Sequence, residues 1–407
     1  MSAKQSIYFE SFIPKDKFKS FDNSNKKKFL NLIKIAKENV NEEKNVFGSF
    51  SRNFRLNFDL KELKKYKKFK RIVTIGLGGS ILGTQATNLF LKKKSKKELI
   101  FINNLDTDQI QKLNKIKGLK NSLFIIVSKS GNTIEVLSII NSLKSKAQFN
   151  RKNCLIITSN IKNHLINFAK KFNIRIILHR QYIGGRYSIF SESALVPCYL
   201  MGINILKLKK NILNFLDKKN HILINNLLKL SKVYESKKIN SLILLNYCQG
   251  LEHFLLWCQQ LIAESLGKKG KGIIPLISIG PRDHHSLLQL YLDGPRDNYF
   301  YIFSLKEKRQ QKKNKELFSD VLNNNNIFEV IKNQKKAMIT LLKKKNIPYL
   351  SIEISKRNEE TLGELFSYFM LETIFIGKHL GINPFNQPAV EQLKKLTTNY
   401  LSKKNQK

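Results

Sequence analysis

The chain has 407 residues, 42% of them hydrophobic, which is enough for roughly two to three domains and unlike a disordered chain. Its 73 Lys and Arg against 30 Asp and Glu give a formal charge of +43, a balance that would suit nucleic acid. The lysines are spread along the whole chain among abundant Asn and Ile, the residues of A/T-rich codons. No basic run is interleaved with aromatics as a base-stacking platform would be, so no nucleic-acid partner is expected.

Residues 1–70 read as a polar, helical segment with caps such as Asp22 and Ser24. Strands are predicted at 71–79, 98–104, 122–128, 153–159 and 174–180, with helical patterns between them, for example at 133–145 and 160–171. Near-continuous apolar strands alternating with helices imply a parallel sheet covered on both faces. Residues 71–200 are therefore expected to form a doubly wound α/β domain. A helical stretch is predicted over 191–266. Strands return at 272–280, 298–305 and 347–354, with helices at 284–292, 329–345 and 359–380. This makes a second α/β unit over 201–380, and a C-terminal helix from Pro388 with its tail fills 381–407. The Lys/Gln/Asn-rich 306–326 is the best loop candidate.

SKSGNT (128–133) leaves the apolar strand SLFIIV. In open parallel sheets ligands sit at the carboxyl ends of strands. A helix N-terminus there offers unpaired N–H groups and a positive dipole end, which suits a phosphate. Ser128, Ser130 and Thr133 supply three hydroxyls, and Gly131 allows close approach. A helix cap needs one hydroxyl, so an anion site is favoured.

GLGGSILG (76–83) is a second glycine-rich turn. Ile81 stands where a dinucleotide fingerprint has its third glycine. The turn either brings the Gly79 amide and the Ser80 hydroxyl to a small ligand or packs helix tightly on sheet. In GGRYSIFS (184–191), Arg186 can reach an anion or a developing oxyanion. The alternative is a solvated loop arginine, one of many basic residues. Glu264 lies on a mostly apolar helix end with Gln260 one turn earlier. It is either a base or the i,i+4 partner of Lys268. His284 and His285 cannot share one helix face, which argues against a two-His metal site. Either is open to a catalytic or a structural role. Gln387 lies just outside the helix that Pro388 opens, and Lys394 two turns inside it.

Taken in order, GLGGS, SKSGNTIE, GGRYS, QQLIAESLGKKGKG, HSLLQLYLDGP and NPFNQPAVEQLKK resemble the glucose-6-phosphate isomerase (phosphoglucose isomerase) family of sugar-isomerase (SIS) domain proteins, over residues 76–395. The resemblance implies two α/β/α sandwich domains with parallel sheets, a helical N-terminal segment and a C-terminal helix. It implies a homodimer with shared active sites, a phosphosugar substrate, and neither metal nor organic cofactor. Ser128, Lys129, Ser130 and Thr133 would form the phosphate loop, and Gly79 and Ser80 would touch the sugar. Arg186, after Gly185, would stabilise the charged intermediate, and Glu264 would move a proton between C1 and C2. His285, from the partner subunit, would help open the ring. Gln387 and Lys394 would contact substrate, with Lys394 also assisting ring opening.

Two features depart from the family pattern. Ser130 and Gly131-Asn132 stand where the family's phosphate loop often has threonines and a phenylalanine. Leu393 precedes Lys394 where a glycine is frequent, and Lys395 competes for the same role. The rival expectations are another phosphosugar aldose–ketose isomerase and a phosphosugar-sensing DNA-binding regulator. The latter would need a helix-turn-helix, which residues 1–70 do not show clearly. Cys154, Cys198, Cys248 and Cys258 have no paired spacing and lie in apolar stretches, which reads as core thiols in a reducing compartment. There is no 18-residue apolar run, and MSAKQSIYFESF lacks the apolar core of a signal peptide. A cytoplasmic, membrane-free protein is expected.

Overall fold

The computed structural model describes residues 6–15, 18, 23–42, 44–51, 53–91, 96–306 and 326–404. Among the described residues, ten strands form two five-stranded sheets. They are β1 (Ile7–Phe12), β2 (Arg71–Ile75), β3 (Glu98–Ile102), β4 (Leu123–Val127), β5 (Cys154–Thr158), β6 (Arg175–Leu178), β7 (Ser241–Asn246), β8 (Ile274–Ile279), β9 (Asn298–Leu305) and β10 (Tyr349–Ile354). The first sheet runs β3-β2-β4-β5-β6 with every pairing parallel. Its central strands LFIIV and CLIIT are buried at every residue, as a sheet covered on both faces requires. The strand order reverses between β2 and β4, so a crevice opens there at the carboxyl ends. The two glycine-rich turns follow these two strands.

The second sheet runs β1-β10-β9-β7-β8. It repeats the same parallel order, with its own reversal between β7 and β9, and adds β1 antiparallel to β10. At the carboxyl end of β10, Arg357 closes onto the first unit. Its guanidinium donates to the carbonyls of Leu89 (3.0 Å) and Phe90 (2.7 Å) at the end of the helix Leu82–Phe90.

Two stretches differ from the sequence expectation. Residues 1–70 are not wholly helical, because IYFESF forms β1 and registers Ile7 against Ile354. The predicted helical stretch 191–266 is broken by β7. SLILLN is a short apolar run, and such a run cannot be told from a buried helix segment by periodicity. The helices around it are Glu192–Leu200, Ile205–Lys209, Asn220–Ser236 and Glu252–Leu266. Asp22 and, save its two end residues, the predicted loop 306–326 lie outside the described residues. Cys154, Cys198, Cys248 and Cys258 are buried and form no disulfide.

The core of the second unit holds a buried carboxyl that meets two phenols. Glu372, on the helix Glu359–His379, accepts from the Tyr301 hydroxyl (3.0 Å) and the Tyr368 hydroxyl (2.6 Å). Burial is the largest influence and raises its pKa from 4.5 to about 7, against the two phenols. The folded state therefore keeps a proton that the unfolded chain has released between those values. The contribution of Glu372 to stability is full below pH 4.5 and is lost as pH rises through 7. Glu372→Gln is expected to gain about 2–3 kcal/mol more, relative to the parent, at pH 8 than at pH 5, as read from urea unfolding.

Candidate active site

The turn after β4 is a knot of hydroxyls. Ser128 Oγ and Thr133 Oγ1 lie 2.8 Å apart, and Ser130 Oγ lies 3.3 Å from Thr133 Oγ1. The Gly131 amide donates to Ser128 Oγ (3.2 Å). Thr133 is the N-cap residue of the helix Ile134–Ala147, yet its side chain caps no amide. The three hydroxyls therefore meet one another at the helix N-terminus instead of satisfying a cap. Gly131 has φ +64°, and a Cβ there would lie 2.1 Å from Asn163 Oδ1. Lys129 is half-buried. Burial first, and the positive charge of Arg186 second, push its ammonium below the usual lysine range.

The turn after β2 meets a different backbone. A Cβ on Gly79 would lie 2.2 Å from the carbonyl carbon of Gly185 and 2.3 Å from the Arg186 nitrogen. Glycine at 79 thus allows the GLGGS and GGRYS loops to touch, and Ser80 is half-buried beside them. Gly79→Ala is expected to force the loops apart. A displacement near 1 Å in a reacting site costs about a hundredfold in rate, so kcat/KM should fall about that much while far-UV circular dichroism stays unchanged.

Arg186 is almost fully buried, at 2% exposure. An arginine has five N–H donors, and each has an acceptor. Nε donates to Ser265 Oγ (2.9 Å). Nη1 donates to Glu264 Oε2 (3.0 Å) and Gln387 Oε1 (2.8 Å). Nη2 donates to the carbonyls of Pro384 (2.8 Å) and Asn386 (3.1 Å). The solvated-loop alternative for Arg186 is thereby overturned. The other carboxylate oxygen of Glu264 accepts from Gln260 Nε2 (2.9 Å), as the shared helix face predicts. Glu264 does not pair with Lys268, whose ammonium instead donates to the carbonyls of Ser265 (2.9 Å) and Asn383 (2.7 Å). Glu264 is partly open to solvent, with its side chain 28% exposed.

The structure thus gathers Gly79, Gly185, Arg186, Glu264 and Gln387, with Lys129 close enough for Arg186 to bias its charge. It does not bring His285 or Lys394 into this group. His285 is exposed on the turn Arg282–His285 after β8. Lys394 lies on the exposed helix Pro388–Lys404, where its ammonium binds Glu391 at 2.7 Å; Lys395 on the same helix is exposed too. The supporting shell went unrecognised in the sequence. Tyr187 shares its hydroxyl with Ser265 (2.8 Å) and donates to the Pro384 carbonyl (3.1 Å), and the Trp257 indole donates to the Arg186 carbonyl (3.1 Å). The one available signal was chemical: a buried arginine needs five acceptors, and backbone carbonyls leave no trace in sequence. Among the described residues, no three His, Cys, Asp or Glu side chains gather as a metal site requires.

Residues 34–407 match the phosphoglucose isomerase family. The chain belongs to the phosphoglucose isomerase family. It is similar to the glucose-6-phosphate isomerase of Methanocaldococcus jannaschii, with 33% identity covering 82% of this chain and 86% of that one. It is also similar to a probable glucose-6-phosphate isomerase of Methanococcus maripaludis, with 32% identity covering 94% of this chain and 89% of that one. The fold is that of a glucose-6-phosphate isomerase crystal structure from Chlamydia trachomatis, with TM-score 0.79, 18% identity, and coverage of 98% of this chain and 89% of that one. The stretch matching the phosphoglucose isomerase family contains every candidate residue from Gly79 to Lys394.

Proposed function

We propose that this protein interconverts glucose 6-phosphate and fructose 6-phosphate through a cis-enediolate. The observation that carries the proposal is the Glu264 carboxylate, held between Arg186 and Gln260 and partly open to solvent. Glu264 takes the C2 proton of the open-chain aldose. The C–H electron pair forms the C1–C2 double bond, and negative charge develops on the C1 oxygen. Returning the proton to C1, while the proton on the C2 hydroxyl passes to the C1 oxygen and C2 becomes the carbonyl, gives the ketose. Arg186 supplies fixed positive charge beside that oxygen, with no reorganisation at the moment of reaction. Ser128, Lys129, Ser130 and Thr133 hold the phosphate at the helix N-terminus, where it orients the reacting carbons from a distance. Gly79, Ser80 and Gln387 contact the sugar.

Ring opening belongs to His285 and Lys394 in this scheme. His285 acts across a homodimer, on the sugar bound by the other subunit. Its exposure in the single chain supports this, as does the exposed apolar line Val390, Leu393, Leu396 and Tyr400 on the last helix, spaced to suit packing against a second copy. No helix among the described residues is long and apolar enough to cross a membrane. We place the enzyme in the cytoplasm, and divide the chain near residues 70, 200 and 380.

The direct test is formation of glucose 6-phosphate from fructose 6-phosphate in a coupled assay with EDTA present. No turnover above background would sink the proposal. Sequence-specific DNA retention at physiological salt would favour the regulator instead. For the phosphate loop, Thr133→Val removes a hydroxyl that a phosphate oxygen would use. Losing a hydrogen bond to a charged group, about 1.5–3 kcal/mol, should raise KM about tenfold or more. An unchanged KM in a folded variant would move the phosphate elsewhere.

A further inference from the structure

The adjacent histidines after β8 do different things. His284 turns inward, and its Nε2 lies 2.6 Å from the hydroxyl of Tyr247, the first residue after β7. The rings meet edge to face with centroids 5.6 Å apart. Tyr247 is buried, and a Cβ on Gly280 would come within 2.7 Å of its ring, so glycine there makes room for it. Burial lowers the His284 pKa, the neighbouring His285 adds to that, and Asp283 opposes it. Burial also raises the Tyr247 hydroxyl, so both partners are held neutral. Asp283 braces the same turn from beneath. Its Oδ2 accepts from the Ile279 amide (2.7 Å) and the Ser278 hydroxyl (3.1 Å), and its Oδ1 accepts from Arg282 Nε (2.8 Å).

Residues 282–285 form a 3-10 turn, in which successive side chains diverge by about 120°. Anchoring residue 284 therefore sets the direction of residue 285. We propose that Tyr247 and His284 are positioning residues, whose hydrogen bond fixes the turn so that His285 is presented outward to a sugar ring held by a second subunit. The assignment rests on the proposed role of His285 in ring opening. The bond is local to this turn, and Arg186 and Glu264 take no part in it.

Tyr247→Phe keeps the ring and removes the hydroxyl. It should lower kcat about threefold to tenfold, the worth of one neutral buried hydrogen bond, with KM changed less than twofold. In a His285→Ala background the same substitution should add nothing, because its effect passes through His285. His284→Gln, which can still accept from the phenol, should retain more activity than His284→Leu. Equal fractional losses in both backgrounds, or full activity in Tyr247→Phe, would overturn the assignment. A second measurement does not depend on turnover. In ¹⁵N-histidine NMR spectra of the full chain, Tyr247→Phe should shift the His284 signals and shift or broaden those of His285, while His179 stays unmoved. Unaltered His285 signals would overturn the positioning role. If the parent protein fails to isomerise, the functional proposal falls, and these spectra alone decide whether Tyr247 orients the turn.

Discussion

Glu264→Gln is expected to lower kcat by about a hundredfold to ten-thousandfold, the range that a positioned general acid–base group contributes. The substitution keeps the side-chain shape, and the amide oxygen can still accept from Arg186 Nη1 or from Gln260 Nε2. Glutamine cannot hold the travelling proton, so the step between C1 and C2 has no carrier. Solvent-deuterium exchange into the sugar, followed by NMR, should disappear in parallel with turnover. KM should change little, because the proposed phosphate contacts lie on a different loop. A variant that keeps exchange while losing turnover would place the proton carrier elsewhere. A His285→Ala protein makes the contrast: it should lose turnover of ring-closed sugar yet exchange the carbon-bound proton far better on a substrate already open. If the proposed homodimer forms, mixing the two impaired variants should restore some activity through hybrid dimers in which one site has both groups.

Arg186→Lys is expected to destabilise the protein by about 3–5 kcal/mol and to lower kcat by about a hundredfold or more. Lysine keeps the charge but brings three donors in a compact head, where arginine brings five in a planar fork. The Asn386 carbonyl would lose its donor, and the Pro384 carbonyl and Ser265 Oγ would be left to share the single Tyr187 hydroxyl. Each buried acceptor left without a partner costs about 1–3 kcal/mol. Urea unfolding should show a lower midpoint with an unchanged slope. The kinetic loss should exceed that of Tyr187→Phe, which gives up only the hydroxyl contacts to Ser265 and Pro384. An Arg186→Lys protein as stable as the parent would show that the five bonds are dispensable.

The parallel strands of the first unit were legible because two-sided burial writes an unbroken apolar run, as in LFIIV and CLIIT. SKSGNT and GLGGS stood out as turns for a related reason, since glycines and hydroxyls break the apolar run at the carboxyl end of such a strand. β7 was not, because SLILLN sits among long helices and its few apolar residues fit either periodicity. β1 was not, because its partner is at the far end of the chain. Arg186 could be suspected but not singled out among 73 basic residues; its burial and its acceptors at 264–265 and 384–387 are tertiary facts. Lys394 shows the converse. The contact it makes, with Glu391, follows from i,i+3 spacing, while its proposed role needs a partner beyond its own helix.

β1 also bears on how the protein is made. Ile7 registers with Ile354, so β1 cannot pair until a residue 347 positions later has been added. At about 5–20 residues per second, that is a wait of roughly 17–70 s on each ribosome. Throughout it the nascent chain carries IYFESF without its sheet, and β10 arrives as the last strand of its layer. A short apolar strand with unpaired amides is what chaperones hold and what neighbouring nascent chains can capture. The antiparallel edge that finishes the second sheet therefore leaves the hexapeptide at 7–12 open to misassembly on a crowded polysome until β10 has been made.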